Sequence, residues 1–229
     1  MLCEMREVSK NFGEKNIIQN VNLTLEAGSI YALLGENGSG KSTLMKMIVG
    51  LVKADGGKVT YKGQDIGVSS KKEVAYMPTE TYFYSYMKVK DVGRYYQDFF
   101  EDFNLVRFIE LQKKMELNDF DPIRALSSGQ IAKLKLATTL ARDAKLYLLD
   151  EPLSGIDLLS RDVIIRTILE VSKEDNTIVI ASHLIEEIEQ IVDRVIFLNK
   201  GSIKLTGDME EIRALHGMSM ADTYRKVMV

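Results

Sequence analysis

Positions 35–43 carry residue types, at a spacing, that suit the binding of phosphate groups. The stretch reads Gly35-x-x-x-x-Gly40-Lys41-Ser42 and matches the P-loop pattern. Glycines let successive backbone N–H groups turn inward, and the start of a following helix adds its positive end, so such a loop attracts anionic phosphates. The sequence predicts the strand before the loop and the helix after it that the pattern requires. This segment is therefore predicted to bind a nucleotide.

Individual residues of this loop have separate expected roles. Lys41 would supply a compact positive charge to the β- and γ-phosphates, and the Ser42 hydroxyl would ligate Mg²⁺. Gly38 is an additional glycine that lets the loop approach the nucleotide closely. The predicted nucleotide-binding residues of the loop are Gly35, Glu36, Asn37, Gly38, Ser39, Gly40, Lys41, Ser42 and Thr43.

A second chemically suggestive pair, Asp150-Glu151, ends the apolar run that begins at Tyr147. A strand ending in an acid places that carboxylate at the carboxyl edge of the sheet, close to a metal held by the P-loop. Asp150 is predicted to hold Mg²⁺ directly or through water, and Glu151 to act as general base on a water beside the γ-phosphate. Alone, the pair would indicate a strand-ending turn. Downstream of a P-loop it indicates nucleotide hydrolysis.

The elements that must position these residues indicate an α/β fold. Strands and helices alternate over most of the chain, which is typical of a mostly parallel sheet covered on both faces. Residues 80–122 differ, because aromatic residues recur there at helical spacing, and they are predicted to form a small helical insertion. Core packing is the simplest explanation of the aromatic stripe, and contact with a partner is the alternative. Short helices are predicted from residue 208 onward.

Composition narrows the class of protein. The chain has 229 residues, 45% of them hydrophobic, which suits one large domain or a domain with a subdomain. A net charge of −3 argues against a general nucleic-acid surface. Cys3 is the single cysteine, so an internal disulfide is excluded, in keeping with a reducing compartment. No apolar run approaches the roughly 20 residues of a membrane helix, so any association with a membrane would be peripheral.

The segment Leu-Ser-Ser-Gly-Gln at 126–130, hereafter the signature segment, resembles the LSGGQ signature of ABC transporter nucleotide-binding domains. It lies between the P-loop and the acid pair, as in that family, and the resemblance covers essentially the whole chain. It implies a P-loop NTPase core with a mostly parallel sheet, an N-terminal antiparallel β subdomain and an inserted α-helical subdomain. The expected organisation is one ABC ATPase domain over residues 1–229, with the core at 1–79 and 123–229 and the helical subdomain at 80–122.

Other motifs of the family can be placed on single residues. Phe12 falls where the family has an aromatic that stacks on adenine, although a packed strand-end aromatic is the alternative. Ser154 and Asp157 resemble the D-loop, which spans the dimer interface. His183 resembles the switch histidine, which contacts the γ-phosphate and orients the attacking water. The resemblance thus implies three catalytic residues, which are Glu151, His183 and Lys41.

The resemblance also implies a site shared between two subunits, identical or different, that meet head to tail. ATP bound at the P-loop of one subunit would be closed over by Ser127, Ser128, Gly129 and Gln130 of the other. Nucleotide would then hold the subunits together, and hydrolysis would release them.

The chain departs from the family pattern at two places. Ser128 stands where the family has a glycine, which is a small change. Thr79, followed by Glu80, stands where the Q-loop glutamine is expected. Threonine is shorter and would reach a metal through an intervening water, whereas Glu80 would reach it if the loop shifts. Either Thr79 or Glu80 is therefore a further candidate metal contact, and slower hydrolysis or altered coupling to a membrane partner is expected.

The resemblance favours the ATPase subunit of a membrane transporter, with Mg²⁺ as cofactor and the permease on separate chains. Such a subunit would be cytoplasmic and peripheral at the cytoplasmic face of the cell membrane, with no nucleic-acid partner. The short region after the last strand, together with Thr79, is similar to the small ATPases of bacterial exporters of drugs, lantibiotics or peptides, by analogy only. The alternatives are an ABC ATPase outside transport, as in iron–sulfur cluster assembly, and a weakly hydrolysing nucleotide-binding regulator.

Overall fold

The computed structural model describes residues 1–228, without the side chain of His216; Val229, the last residue of the predicted domain, lies outside the described residues. The strands are β1 (Cys3–Phe12), β2 (Lys15–Leu25), β3 (Ile30–Leu34), β4 (Gly56–Tyr61), β5 (Gln64–Asp65), β6 (Val74–Met77), β7 (Leu146–Asp150), β8 (Thr177–Ser182), β9 (Arg194–Asn199) and β10 (Ser202–Asp208). The α-helices are α1 (Lys41–Ile48), α2 (Val68–Glu73), α3 (Val89–Phe99), α4 (Leu105–Lys114), α5 (Ser128–Leu140), α6 (Leu158–Val171), α7 (Ile185–Ile188), α8 (Met209–His216) and α9 (Met220–Met228).

The larger sheet has the order β10-β9-β3-β8-β7-β6. Its strands run parallel except for β10, which pairs antiparallel with β9. The strands β3, β7 and β8 are buried along their whole length, as expected for apolar strands of a sheet covered on both faces. Because β3, β8, β7 and β6 are consecutive parallel neighbours, the segments that follow them meet at one edge of the sheet.

The smaller sheet has the order β2-β1-β4-β5 and is antiparallel throughout. It packs against one face of the larger sheet through a core that includes Tyr31 and Leu33 of β3 and the buried side of α1. The alternate β3 residues Ala32 and Leu34 belong to a second core, on the face covered by α5 and α6. Side chains alternate between the faces of a strand, so one five-residue strand contributes to both cores.

The aromatic-rich stretch forms the two helices α3 and α4, separated by a short connection. Asn104 begins α4, and its side chain accepts a hydrogen bond from Arg107 N at 2.9 Å. Buried Val92 and Phe108 join the core, which agrees with the packing interpretation of the stripe. Tyr86 and Phe99, however, are 75% and 67% exposed. The stripe therefore has a packed inner side and an open outer side.

The fold class predicted from the sequence is confirmed. The structure combines a mixed, mostly parallel sheet with an N-terminal antiparallel β subdomain and a helical insertion. Within residues 1–228, none of the helices has the length and apolar character needed to cross a membrane.

Candidate functional site

The P-loop follows β3 directly and leads into α1, as the motif requires. Its glycines are needed for steric reasons at two positions. A Cβ atom on Gly35 would collide with the carbonyl oxygen of Leu198 and the hydroxyl of Ser39. Gly40, which precedes α1, has a φ of 109°, a conformation that L side chains rarely adopt. The loop can therefore bring its backbone N–H groups close to a bound anion.

Lys41 is held inside the loop, with only 6% of its surface exposed. Its ammonium group donates to Gly35 O at 2.7 Å and to Glu36 O at 3.2 Å. The Lys41 Nζ atom also lies 3.6 Å from Glu151 Oε1. These contacts fix a positive charge at the base of the loop, where phosphates would enter.

Glu151 and His183 meet because β7 and β8 are parallel neighbours whose carboxyl ends share an edge. Glu151 Oε2 lies 2.8 Å from His183 Nδ1. The backbone of Glu151 adopts a φ of 52°, and its N–H donates to Ala181 O at 2.9 Å. This left-handed conformation turns the chain directly after Asp150, so two adjacent carboxylates can serve the same site.

Asp150 is an almost completely buried acid, 1% exposed, at the end of β7. Burial raises the pKa of its carboxyl group, and the hydroxyl of Ser42 opposes that shift by hydrogen bonding. The Tyr76 hydroxyl lies 3.5 Å from Asp150 Oδ2, whereas Oδ1 has no hydrogen-bond partner among the described residues. A buried carboxylate oxygen without a donor is an expensive arrangement that a cation would relieve.

The residues present suit Mg²⁺ as a ligand of this site. Mg²⁺ prefers oxygen ligands and is commonly held by one or two carboxylates together with substrate phosphates. Asp150 supplies an unpartnered carboxylate oxygen beside the Ser42 hydroxyl. Among residues 1–228 no group of three or more His, Cys, Asp or Glu side chains is arranged to hold a metal by itself. The remaining ligands would therefore come from nucleotide and water.

Lys41, Ser42 and the acid pair open onto one cavity of about 300 Å³, hereafter the P-loop cavity. His183 is not among its lining residues and instead lines a separate cavity between α7 and α9. Most of the predicted binding residues that face the P-loop cavity belong to the loop, and the acid pair also faces it. Its lining residues are Phe12, Ile17, Asn37, Gly38, Gly40, Lys41, Ser42, Thr43, Thr79, Asp150 and Glu151.

Phe12 presents an exposed ring at the end of β1, 52% accessible, on the wall of the P-loop cavity. The ammonium group of Lys10 lies 5.3 Å from its ring centroid and donates to Asp55 Oδ1 at 2.7 Å. Asp55 Oδ2 accepts from the backbone N–H of Asn11 at 2.7 Å. The side chain of Asp55 thereby anchors the end of β1 that displays Phe12.

The two candidate residues that follow β6 face different ways. Thr79 lines the P-loop cavity, and its hydroxyl donates to Glu80 Oε2 at 3.3 Å. Glu80 pairs with Lys46 of α1, at 2.9 Å between Oε1 and Nζ, and this partner holds the pKa of the Glu80 carboxyl below its usual value. The side chain of Glu80 is 63% exposed and is not part of the cavity wall.

The signature segment begins α5 and lies outside the P-loop cavity of its own chain. Ser127 Oγ accepts from Gln130 N at 3.2 Å, and Gln130 Oε1 accepts from Ser127 N at 2.9 Å. This reciprocal pair is a capping box, which satisfies N–H groups at the start of the helix. Ser127 and Ser128 are exposed, so this helix start is open to solvent.

The predicted D-loop residues lie beside the signature segment. A Cβ atom on Gly129 would be 3.0 Å from Gly155 O, which shows how closely the two segments pack. Ser154 is exposed and its N–H donates to Glu151 O at 3.1 Å. Asp157 begins α6 and accepts from Ser160 N at 3.0 Å. Hydrogen bonding from Ser160 holds the pKa of the Asp157 carboxyl below its usual value.

Three residues of the site escaped the sequence analysis. Ile17 of β2 lines the cavity, Tyr76 of β6 faces Asp150, and Lys135 of α5 donates to the backbone of the loop after β6. Only Lys135 carries a sequence signal, because a lysine within an otherwise apolar helical run needs a partner. Ile17 and Tyr76 have the pattern of ordinary strand residues.

Comparison with known proteins identifies the family. The family model described as "ABC transporter" matches residues 18–154. The ABC transporter ATP-binding protein YtrB of Bacillus subtilis (strain 168) is 33% identical over 215 residues, covering 93% of this chain and 74% of that protein. The lantibiotic transport ATP-binding protein SrtF of Streptococcus pyogenes is 29% identical over 206 residues, covering 89% and 90% of the respective lengths.

Solved structures share the fold. One described as the structure of an ATP-binding subunit of an ABC transporter matches with a TM-score of 0.90 and 22% identity, covering both chains completely. A second, a dimeric post-hydrolysis state of the ATP-binding cassette MJ0796 bound to ADP and Pi, matches with a TM-score of 0.81 and 21% identity over 91% of this chain. Sequence, fold and site geometry agree, and the chain belongs to the ABC transporter family as an ATP-binding subunit that hydrolyses ATP.

Proposed function

We propose that this ATPase works as one of a pair of subunits that drive a membrane permease carried on separate chains. The observation that carries the proposal is the convergence of Lys41, Asp150 and Glu151 on one cavity at the carboxyl edge of the sheet. Phosphoryl transfer to water needs mainly positioning and electrostatic stabilisation, which fixed charges of this kind supply.

Each residue of the proposed site would then have a defined task. Lys41 would bind the β- and γ-phosphates, since its ammonium group is already fixed within the loop. Glu151 would accept a proton from the attacking water, and its Oε1 atom, which has no hydrogen-bond partner among the described residues, is available for this. His183 would hold Glu151 in place through Nδ1 and orient the water. The ring of Phe12 would stack on adenine.

Ser42 and Asp150 would hold Mg²⁺, with Thr79 as a further contact through water. The bound ion would neutralise negative charge that develops on the phosphate oxygens. The chain's own contribution is to present an unpartnered oxygen of Asp150 beside the Ser42 hydroxyl in a buried position. Glu80 would join this group only if it left its partner Lys46.

The signature segment supports a site that is completed by a second subunit. Ser127, Ser128, Gly129 and Gln130 begin a helix whose N-terminal end faces solvent rather than the cavity of the same chain. A helix start of this kind binds phosphate oxygens readily. In a head-to-tail pair, that end would close over ATP held by the partner's P-loop, with Ser154 and Asp157 at the junction. The pair could be identical chains or two different ABC subunits.

The outer aromatic surface supports a permease partner. A cleft of about 330 Å³, hereafter the aromatic cleft, is lined by Tyr82, Phe83, Tyr84, Met87, Val92, Tyr95, Tyr96, Phe99 and Phe100. It begins three residues after Thr79, so a protein seated there would lie next to the loop that reaches the P-loop cavity. We assign this cleft to a cytoplasmic segment of the permease, and a subunit bound there would lie at the cytoplasmic face of the membrane.

The core would comprise residues 1–79 and 123–229, and the helical subdomain residues 80–122 would carry the permease contact. Export of a drug, lantibiotic or peptide is the proposed direction and cargo class. Its support is the similarity to a relative named for lantibiotic transport, over most of the length of both proteins.

Co-purification tests the transporter assignment. The chain would be co-expressed with the membrane proteins encoded beside its gene, and the detergent extract would be isolated through a tag on the permease. We expect the wild-type chain to stay bound to the tagged permease. The variant Phe99→Glu, which is changed in the aromatic cleft, should not stay bound. Val68→Glu, at an apolar residue of α2 that is also largely exposed, is the control and should be retained. An active ATPase that binds none of these membrane proteins would favour a role outside transport.

A further inference from the structure

Lys135 is a lysine in the middle of α5 that is almost fully buried, with 5% of its surface exposed. Its helical neighbours Leu134 and Leu136 are completely buried. Lysine is rarely buried in this way unless its charge is paired or hydrogen-bonded, because removing an ammonium group from water is costly. Burying a lysine is not expected to stabilise the fold by itself, so the position of Lys135 needs another explanation.

The ammonium group of Lys135 has two definite partners. It donates to Pro78 O at 2.8 Å and to Thr79 O at 2.7 Å. No other donor reaches these two carbonyl oxygens among the described residues. Burial lowers the pKa of Lys135, while the nearby carboxylates of Asp150 and Glu80 oppose this shift. The ammonium group therefore spans from α5 to the loop that follows β6.

The loop that Lys135 holds is the one that brings Thr79 to the P-loop cavity. Thr79 shares the cavity wall with Lys41, Ser42 and the acid pair. Pro78 has no N–H group, so the chain here lacks one anchoring donor. The two carbonyl contacts of Lys135 consequently fix the backbone that presents the Thr79 side chain.

The same lysine connects two separate parts of the site. Lys135 belongs to α5, whose first turn is the signature segment, while its charged end binds the loop after β6. A displacement of α5 would therefore be transmitted to Thr79 through a charged hydrogen bond, which is stronger than a neutral one.

We propose that Lys135 is a positioning residue that fixes Thr79 at the wall of the P-loop cavity and links the signature helix to the site of hydrolysis. The proposal rests on the proposed function only in taking Thr79 to contact the metal or its water. Threonine is shorter than the glutamine of the family pattern, so the placement of its backbone matters more. Misplacing a catalytic contact by about 1 Å can lower a rate by roughly 100-fold.

Steady-state ATP hydrolysis by the full chain tests this inference. Lys135→Met keeps the length and helix preference of the side chain but removes the donor. We expect kcat to fall by roughly tenfold to 100-fold, with KM for ATP changed by less than about twofold because the P-loop is untouched. Lys135→Arg, which keeps a charged donor, should recover much of the loss. Lys113→Met, at an exposed residue of α4, is the control and should behave as wild type.

A double-mutant cycle with Thr79→Ala separates positioning from a general structural role. If Lys135 acts through the Thr79 hydroxyl, Lys135→Met should lower kcat much less in the Thr79→Ala background than in wild type. Additive losses would overturn the proposal, as would a Lys135→Met enzyme with wild-type kcat. Should Lys135→Met fail to fold, Lys135→Gln replaces it, and failure of both to fold would show a purely structural lysine. An inactive wild-type chain would instead contradict the site assignment itself.

Discussion

The P-loop cavity and the signature segment differ in whether their polar groups are hydrogen-bonded within the chain. In the cavity wall, Asp150 Oδ1 and Glu151 Oε1 are buried without hydrogen-bond partners among residues 1–228, and so is Ser39 Oγ within the P-loop. In the signature segment, Ser127 and Gln130 satisfy each other's backbone N–H groups, and Ser127 is exposed to solvent. The cavity thus has a strong need for a polar ligand within its own chain. The signature segment is stable as it is and is free to contact another surface.

The two halves of the proposed site can therefore be tested separately. Changes in the cavity should alter hydrolysis or nucleotide binding, and should alter association only through the nucleotide that stays bound. Changes in the signature segment should alter association between chains directly, while nucleotide binding by each chain stays intact. A signature-segment variant that loses nucleotide binding by the single chain would contradict this separation.

The largest effect is expected for Glu151→Gln. Glutamine has the shape of glutamate but cannot accept the proton, so we expect turnover to fall by about 10²- to 10⁴-fold. Binding of ATP should persist, because Lys41 and the loop are unchanged, and the ATP-bound pair should accumulate. The measurements are phosphate release, binding of a fluorescent ATP analogue and light scattering. Glu170→Gln, at an acid on α6 paired with Lys114, is the control. A variant with normal turnover would remove Glu151 from the role of base.

The next largest effect concerns Ser127 and separates helix capping from contact with a second chain. Aspartate caps helices about as well as serine, and its charge suits a helix N-terminus. We therefore expect Ser127→Asp to keep the thermal stability of the single chain. The same charge would repel a phosphate held by a partner, so ATP-dependent pairing should weaken by roughly tenfold or more.

Ser127→Asn provides the matched control for that experiment. Asparagine is an equally good cap of nearly the same size but carries no charge. The light-scattering signal of ATP-dependent association should be lost with aspartate and largely kept with asparagine. Equal association of Ser127→Asp and wild type would mean that the signature segment does not face a phosphate.

Local motifs made much of this site predictable from the sequence, whereas contacts between distant elements could not be predicted. The P-loop glycines and Asp150-Glu151 carry their geometry in adjacent residues, and parallel strands then bring them together. Lys135 and Tyr76 act through partners that lie 56 and 74 positions away in the chain. Nothing in the sequence states that α5 packs beside the end of β6.

The fold shows the same division between local and tertiary signals. The sequence predicts the apolar strands β3 and β7, because burial on both faces leaves a continuous apolar run. Residues 80–122 are predicted to be a helical insertion, and the structure divides its helical part between α3 and α4. The N-cap residue Asn104 is the local signal of that division. The short strand β5 and helix α2 were not predicted, because neither has enough residues for a period to show.

A smaller effect is expected for Thr79→Gln. Glutamine can reach farther into the P-loop cavity from the same backbone and replace a water bridge with a direct contact. Because a water-mediated hydrogen bond is nearly as favourable as a direct one, kcat should rise by no more than about tenfold. ATP hydrolysis alone and in the presence of the permease is the measurement, with Thr79→Ser as the control. Unchanged rates in both conditions would show that this departure from the family pattern has no bearing on hydrolysis or coupling.

The smallest effect is expected for Asp150→Asn, a cavity change that should alter the thermal stability of the nucleotide-free chain. Burial raises the pKa of the Asp150 carboxyl above its unfolded value. The folded chain therefore binds this proton more readily than the unfolded chain, and its stabilising contribution is lost as the pH rises through the raised pKa. At neutral pH the ionised Asp150 is a cost, so Asp150→Asn should raise the melting temperature of the nucleotide-free protein by a few degrees. The gain should shrink as the pH is lowered through the pKa of Asp150, because the wild-type carboxyl is then also neutral.

Asp175→Asn is the control for this experiment. Lys145 lowers the pKa of the Asp175 carboxyl, so above that pKa the variant should be less stable than wild type. Thermal unfolding of wild type, Asp150→Asn and Asp175→Asn across the acid range measures both changes in stability. An Asp150→Asn protein less stable than wild type at neutral pH would show that the ionised Asp150 carboxylate does not destabilise the nucleotide-free chain.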